Sequence, residues 1–285
     1  MIRLVRSELL KIRTTNIWWL YLIAVVGFTG LTFMANAVEA HQALTFDPGN
    51  FPTDMPPDQV AQMQAQFEAQ RDVVGQTANL ATSGQYFGLL FVMLLAVLVV
   101  TNEFFHQTAT ATYLTTPNRV RVIAGKLLAG AGLGAVFWLV TEALVVPATL
   151  IYMNADGFGG HLGHPRVVRA IALNLAVYAI WAVLGIGLGT LIRNQIGAVI
   201  TAAVLYLIAY PAAFTVFGLM AYLTDSQWWV EKAIVIVPPI ASSLLTDSIR
   251  QPHLPPQWVG AVVLLGYAIV FGGVGVLITR RRDIS

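Results

Sequence analysis

One carboxylate, Glu142, stands inside an otherwise apolar run, "WLVTEALVVPAT". A charge at such a position is costly in a membrane, so its side chain is expected to face protein or a water-filled cavity. Three roles suit a carboxyl group there: an ion pair with Arg169, a contact with substrate, or carriage of a proton. The sequence alone leaves these three roles open.

Other site chemistry finds little support in the residue pattern. No G-x-x-x-x-G-K-[ST] phosphate loop is present, because Gly125–Lys126 is followed by Leu127 and lacks the earlier glycine. The "HLGH" run from His161 to His164 has no nearby carboxylate or third ligand, so we expect no metal site. Nucleophile triads and dinucleotide fingerprints are also missing from the sequence. We therefore expect neither catalysis nor a bound cofactor from this chain.

The composition indicates an integral membrane protein. The chain has 285 residues, of which 57% are hydrophobic and only 11% charged, whereas ordinary soluble domains have roughly 25% charged residues. It contains no cysteine, which excludes disulfides and thiolate metal sites. The apolar residues come in blocks separated by polar segments, as membrane-spanning helices require.

Six apolar segments are each long enough to cross a bilayer core of about 30 Å as a helix. A β-barrel would alternate apolar and polar residues instead. We therefore predict an all-α integral membrane protein, with a single transmembrane domain over residues 1–285. The predicted spans are Ile17–Val38, Gln85–Val100, Leu127–Tyr152, Val167–Ile192, Ile196–Leu223 and Trp258–Thr279.

Charge sets the expected orientation, because Lys and Arg concentrate in cytoplasmic loops. With the amino terminus inside, most of the 16 Lys and Arg residues fall on the cytoplasmic side and most acidic residues fall outside. The same bias accounts for the net charge of +2, so we expect no nucleic-acid partner. We predict a multi-pass protein of the bacterial cell (inner, or plasma) membrane with both termini in the cytoplasm.

Residues 1–15, "MIRLVRSELLKIRTT", have the pattern of an amphipathic helix. Basic residues are spread over the polar faces, as in helices that lie on an anionic leaflet. The apolar face comprises Ile2, Val5, Leu9 and Ile12. This interfacial helix would serve either as a membrane anchor or as a lever that touches a cytoplasmic partner.

Two further segments, 39–84 and 224–257, are predicted on the outer side. The first has a loop rich in Pro and Asp and then a helix over 58–82 with Asp58 as its N-cap. This helix is expected to pack on the second segment or on another copy of the chain. The second segment has an apolar core of about 14 residues, too short to span, which is broken at Pro238–Pro239. It forms either a re-entrant hairpin in the outer leaflet or a surface hairpin.

Residues 102–126, "NEFFHQTATATYLTTPNRVRVIAGK", form a polar, Thr-rich stretch between two apolar spans. The pattern predicts the end of one helix, a turn at 115–118, and a new helix that carries Arg119, Arg121 and Lys126. Glu103 and the threonines that follow it are expected to be exposed, where they would suit docking against another protein.

The order Glu103, Thr108, Leu114, Pro117, Arg119 and Lys126 resembles the signature of ABC-2 type transporter permeases. The first inside loop of that family typically reads Glu, Gly-Thr, Leu-Leu, Pro, Arg, Lys at similar spacing. The six-span plan, the amphipathic first helix and the broken apolar hairpin extend the resemblance over nearly the whole chain. Gln107 departs from it, because the family often has glycine there, and a less tight turn is expected.

The resemblance implies that residues 102–126 are a coupling helix, which sits in a groove of a separate ATPase subunit. The residues implied in that contact are Glu103, Gln107, Thr108, Thr112, Leu114, Pro117, Arg119 and Lys126. ATP and Mg would bind to the ATPase partner. The permease would pair with a second copy or a paralogue within membrane lipid and would export a lipid, a drug or a peptide antibiotic.

Two other classes of function stay open. An ion- or proton-coupled secondary transporter would need more intramembrane carboxylates than Glu142 and ideally an internal repeat. A non-transporting scaffold or sensor would use the predicted outer helix, 58–82, as its receptor surface. An ATPase with a phosphate loop in the neighbouring reading frame would favour the exporter.

Overall fold

The chain is helical throughout the part described by a computed structural model, which covers residues 2–14, 17–45, 60, 64, 68, 70–107, 118–192, 194–224, 229–249 and 254–281. No strand occurs among these residues. The helices are α1 (Ile2–Thr14), α2 (Trp18–Thr45), α3 (Val73–Ala81), α4 (Gln85–Phe105), α5 (Arg119–Ala155), α6 (Pro165–Leu191), α7 (Gln195–Thr224), α8 (Val230–Ala233), α9 (Pro238–Thr246) and α10 (Gln257–Arg281).

Six helical stretches are long and apolar enough to cross a membrane, as predicted. They are α2, the stretch Val73–Phe105 that includes α3 and α4, α5, α6, α7 and α10. This confirms the prediction of an all-helical chain with six such helices. The longest is α5, whose 37 residues extend for about 55 Å at about 1.5 Å per residue, well beyond a bilayer core.

Helix α6 lies at the centre of the bundle and packs against α4, α5 and α10. Two of its glycines make this packing possible. A Cβ atom at Gly185 would lie 2.4 Å from the carbonyl oxygen of Met93 on α4, and one at Gly187 would lie 2.7 Å from Phe271 on α10. Since real Cβ atoms do not approach so closely, any larger residue at these positions would push the helices apart.

Helix α3 covers the last part of the predicted outer helix, and residues 60, 64, 68 and 70 before it are also helical. Its N-cap is Asp72, whose side chain accepts a hydrogen bond from the amide of Val74, while Asp58 lies outside the described residues. The side chains of Gln76, Thr77 and Ala78 are buried against neighbouring helices.

The segment before α10 contains two short helices joined by a 3-10 turn, Ile234–Ile236. Pro238 and Pro239 stand at the first positions of α9, where proline is favoured because its missing amide needs no partner. The proline pair therefore starts a helix as well as interrupting the apolar run. Helix α9 is largely buried and packs against α10 and α6.

The segments before α3 and after α9 meet at Arg166, near the start of α6. The guanidinium of Arg166 donates to both carboxylate oxygens of Asp72, and its Nη1 also donates to the carbonyl of Ser248 at 3.2 Å. This contact ties the N-cap of α3 to α6 and to the residues that follow α9. We call this side of the bundle the α3 end, and the opposite side the α1 end.

Candidate functional site: a buried charge cluster at the α1 end

Four charged side chains from three helices meet at the α1 end. They are Glu8 and Lys11 of α1, Glu103 of α4 and Lys126 of α5, and we call them the charge cluster. The ammonium of Lys126 lies 2.6 Å from Glu103 Oε1 and 2.9 Å from Glu8 Oε2. The ammonium of Lys11 lies 2.6 Å from Glu103 Oε1 and 2.8 Å from Glu8 Oε1. Each ammonium thus bridges the same two carboxylates.

Local helix geometry brings these groups together. Glu8 and Lys11 are three residues apart and therefore neighbours on one face of α1. Glu103 lies in the last turn of α4, and Lys126 lies two turns into α5. Helix α1 approaches α5 closely at Gly125, where an added Cβ atom would lie 3.3 Å from that of Leu4.

The cluster is buried but neutral. Glu8, Glu103 and Lys126 are 2%, 5% and 3% exposed, and only Lys11 keeps a partly exposed side chain. Removing four charges from water costs several kcal/mol per ion, which only close and complementary pairing can offset. Removal of one member would leave its partners buried without compensation, so the fold at this end depends on all four.

The environment of Lys11 favours its charged form. Burial lowers the pKa of Lys11, but hydrogen bonds and charges from Glu103 and Glu8 outweigh burial and hold the pKa above its ordinary value. A cavity of about 240 Å³ opens beside Lys11 and Glu103, between α1 and α4. Lys11 and Glu103 therefore border this cavity, whereas Lys126 is buried away from solvent.

The structure corrects the expectation that Glu103 is exposed, and it also buries Lys126, the other charged residue implied in the ATPase contact. Both side chains point into the fold because the opposite charges of α1 meet them there. On the apolar face predicted to lie on the membrane, Ile2 and Leu9 are 86% and 43% exposed, whereas Ile12 is buried in the protein, as is Glu8. Glu8 was missed, although it is the only acidic residue in the first helix and stands three residues before Lys11.

The charge cluster joins the two ends of the stretch 102–126. Helix α4 ends at Phe105, and α5 begins at Arg119 with Asn118 as its N-cap, whose side chain accepts from the amide of Arg121 at 3.1 Å. Phe105, His106 and Gln107 are exposed where the chain leaves α4. The candidate residues Thr108, Thr112, Leu114 and Pro117 lie outside the described residues, as does the side chain of Arg119.

Gln107 adopts a left-handed backbone with φ of 55°. Glycine reaches this region without steric cost, whereas other residues are strained there. Gln107 therefore takes a backbone conformation that glycine would favour, while the residues that follow it in the predicted turn lie outside the described residues. The position where the resembled family often has glycine is one that requires positive φ.

Glu142 does not pair with Arg169, contrary to one of the expected roles. Its Oε1 accepts a hydrogen bond from Asn174 Nδ2 at 2.9 Å, across the interface between α5 and α6. Asn174 Oδ1 in turn accepts from Gln85 Nε2 at 3.1 Å, and the same nitrogen lies 3.3 Å from Thr246 Oγ1. We call these four residues the polar chain. It links α4, α5, α6 and α9 near the α3 end.

Arg169 lies apart from the polar chain. It is exposed and lines a cavity of about 690 Å³ with Asp247 and Trp258. Asn174 is the partner that sequence reasoning missed, since an amide in an apolar helix gives no pairing signal until the register between helices is known.

The two histidines of the "HLGH" run make local contacts. His164 is the N-cap of α6, with Nδ1 accepting from the amide of Arg166 at 3.2 Å, and His161 Nε2 contacts the carbonyl of Phe158. Within the described ranges, no group of three His, Asp or Glu side chains is placed to hold a metal ion. Comparison with protein-family models and with curated proteins finds no match to this chain.

Proposed function

We propose that this chain is the membrane subunit of an ATP-driven exporter of the ABC-2 type, energised by a separate ATPase subunit. The protein would be located in the bacterial inner membrane, with the α1 end and both termini in the cytoplasm. The cargo would be a hydrophobic or amphipathic molecule such as a lipid, a drug or a peptide antibiotic. A second copy or a paralogue would complete the permease.

The observation that carries the proposal is the charge cluster at the base of the stretch 102–126. A cytoplasmic segment that transmits force needs a stiff connection to the spans. Glu103 and Lys126 hold its two ends together, and Glu8 and Lys11 add the first helix to the same contact. A displacement of this segment by a partner would therefore move α1, α4 and α5 together.

Two further features support the proposal. Gln107 has the positive φ that suits the glycine of the resembled signature. Phe105 is 69% exposed beside it, and aromatic side chains are frequent anchors at protein interfaces. The proposed docking surface therefore shifts from Glu103 to the exposed residues at the end of α4.

Co-purification with an ATPase subunit tests the proposal. The chain is co-expressed with an ATPase encoded beside it, and association and ATP hydrolysis are measured. Phe105→Ala should reduce association by about tenfold or more, as loss of an interface anchor does, and should leave the melting temperature of the permease unchanged. Trp258→Ala, which removes an aromatic side chain that is 64% exposed at the opposite end, is the matched control.

The outcomes separate the proposal from its alternatives. Loss of association in Phe105→Ala alone supports a docking role for this end of the bundle. Equal association of wild type and variant, or ATP hydrolysis by the purified chain without a partner, contradicts it. An ion-coupled secondary transporter remains the second candidate, and the buried carboxyl of Glu142 is the observation that favours it.

A further inference from the structure

The hydrogen bonds of the polar chain run from Gln85 through Asn174 to Glu142, and this order determines which atom of Asn174 contacts the Glu142 carboxyl group. Gln85 donates from its amide nitrogen to Asn174 Oδ1, so the amide nitrogen of Asn174 is the group that faces Glu142. Glu142 Oε1 therefore accepts one hydrogen bond from a neutral donor. Trp138, on α5, lies close to the same carboxyl group, but its indole N–H donates to the carbonyl of Ile171 at 3.1 Å.

The other oxygen of Glu142 has no partner. Oε2 is buried from solvent and makes no hydrogen bond, although an ionised carboxylate can accept about four. The whole side chain is 6% exposed. It lies about 20 Å from the end of α5 at about 1.5 Å per residue, well within an apolar span. An anion in such surroundings would be strongly disfavoured.

Among the described residues, no positively charged side chain lies close enough to neutralise an ionised Glu142. No ammonium or guanidinium of the described residues lies within the 4.0 Å limit for an ion pair with Glu142. Tyr178, on α6, donates its hydroxyl to the carbonyl of Gly84. Arg169 precedes Asn174 on α6 by about 7 Å of helix rise, and Lys126 precedes Glu142 on α5 by about 24 Å. Among the described side chains, the other charged or titratable groups on α5 and on the helices packed against it are Arg121 and Tyr152 on α5, Arg6, Glu8, Lys11 and Arg13 on α1, Tyr21, Glu39 and His41 on α2, Asp72 before α3, Tyr86 and Glu103 on α4, Arg166 on α6, and Tyr267 on α10.

We propose that Glu142 is a proton-binding site and that its bound proton holds α4, α5, α6 and α9 in the packed arrangement. A proton bonds to Oε2 without needing extra space, whereas a metal ion or an amine would need further donors and room. The proton removes the charge and leaves the Asn174 hydrogen bond intact. The polar chain then presents only neutral groups to one another.

Release of the proton to water would leave a carboxylate with one donor in an apolar interior. Such an anion is stabilised only when water or the guanidinium of Arg169 reaches it, and either requires α5 and α6 to part near Asn174. Proton release and opening of the polar chain are therefore coupled. This coupling does not depend on an ATPase partner, so it stands apart from the proposed function.

The test measures stability against pH in the purified chain alone. A folded state that keeps its proton loses stability as pH rises above the ordinary carboxyl value of about 4.3, because only the unfolded chain ionises there. The melting temperature of wild type should fall by about 2–4 °C for each pH unit above that value. Glu142→Gln, which has the shape of the protonated acid, should lose this dependence. Glu39→Gln, at an exposed carboxyl on α2, is the control and should keep it.

Infrared spectroscopy gives a second readout. Wild type should show the carbonyl stretch of a protonated carboxylic acid at neutral pH, and this band should vanish in Glu142→Gln and shift in Glu142→Asp. The Asp variant provides the assignment if the Gln variant does not fold. The proposal is overturned if wild type lacks the band, if the band persists in Glu142→Gln, or if Glu142→Gln and wild type melt with the same pH dependence.

Discussion

Lys126 Nζ and Glu103 Oε1 lie 2.6 Å apart, although they stand at opposite ends of the stretch 102–126 that is proposed to bind an ATPase. Their contact closes the base of that stretch inside the bundle. The carboxylate that the family resemblance would assign to a partner is therefore already neutralised within the chain. Its removal should first lower the stability of the protein.

Removal of one member of the charge cluster should be strongly destabilising. Lys126→Met should lower the free energy of unfolding by about 3–5 kcal/mol, because it leaves two buried carboxylates with one ammonium. Thermal or denaturant melts in detergent measure the loss. Arg121→Met removes an exposed charge from the same helix and should stay within about 0.5 kcal/mol of wild type.

The double variant Glu103→Gln with Lys126→Met examines whether the two groups act together. Its loss should be smaller than the sum of the two single losses, because the second substitution removes a charge that the first left unpaired. Additive losses would show that the two side chains do not interact in the folded protein.

A glycine at position 107 should stabilise the end of α4. Gln107→Gly relieves a left-handed backbone strain of about 1–2 kcal/mol, of which about 0.5–1 kcal/mol is offset by the greater freedom of the unfolded chain. The melting temperature should rise by a few degrees at most. Gln107→Ala keeps the strain, so it should give no rise. A lower melting temperature for Gln107→Gly than for Gln107→Ala would mean that the positive φ does not strain this position in the folded protein.

Two glycine substitutions should have opposite effects on bundle stability. Gly185→Ala places a Cβ atom 2.4 Å from a carbonyl oxygen of α4, so it should destabilise by about 1–3 kcal/mol through overpacking. Gly132→Ala, on α5, meets nothing within 4 Å and should be neutral or stabilising by up to about 1 kcal/mol. Melting curves of both variants check the pair, and equal effects would argue against the close approach of α4 and α6.

Acid should weaken the contact between Asp72 and Arg166. Hydrogen bonds from Arg166, opposed by burial, hold the pKa of Asp72 below its ordinary value. The stability from this pair is therefore present above the unfolded value of about 3.9 and is lost as pH falls through the lower folded value. Wild type should lose more stability than Asp72→Asn between about pH 5 and pH 2.

At neutral pH, Asp72→Asn should cost only about 0.2–1 kcal/mol, since the pair is partly exposed. Asparagine also keeps the N-cap of α3. Asp72→Ala removes the cap as well and should cost about 1 kcal/mol more. If the Asn and Ala variants melt alike, Asp72 does not cap this helix.

The sequence allowed the six long helices to be predicted because each is a long apolar run, and hydropathy is a local property. Helix ends were less predictable. Hydropathy alone places the start of the third span at Leu127, whereas the turn at 115–118 predicts a helix that already carries Arg119, Arg121 and Lys126. Helix α5 begins at Arg119 after its N-cap Asn118, as the turn predicts. Helix α3 likewise begins after a side-chain N-cap, Asp72.

The charge cluster could not be predicted from local pattern. Lys11 and Glu103 are 92 positions apart, and no periodicity relates α1 to the end of α4. Polar character suggested exposure for Glu103, but burial followed from charges on a distant helix. Glu142 was recognised from its apolar surroundings, whereas its partner Asn174 depends on the register between α5 and α6.

The charge cluster also constrains the order in which this protein can be assembled during synthesis. Glu8 and Lys11 leave the ribosome first, yet Lys126 must follow before all four charges can be neutralised together. Until then Glu103 can pair only with Lys11 of α1, and Glu8 lacks its second ammonium. The contact between α1 and the rest of the cluster is therefore completed only once the start of α5 has been made.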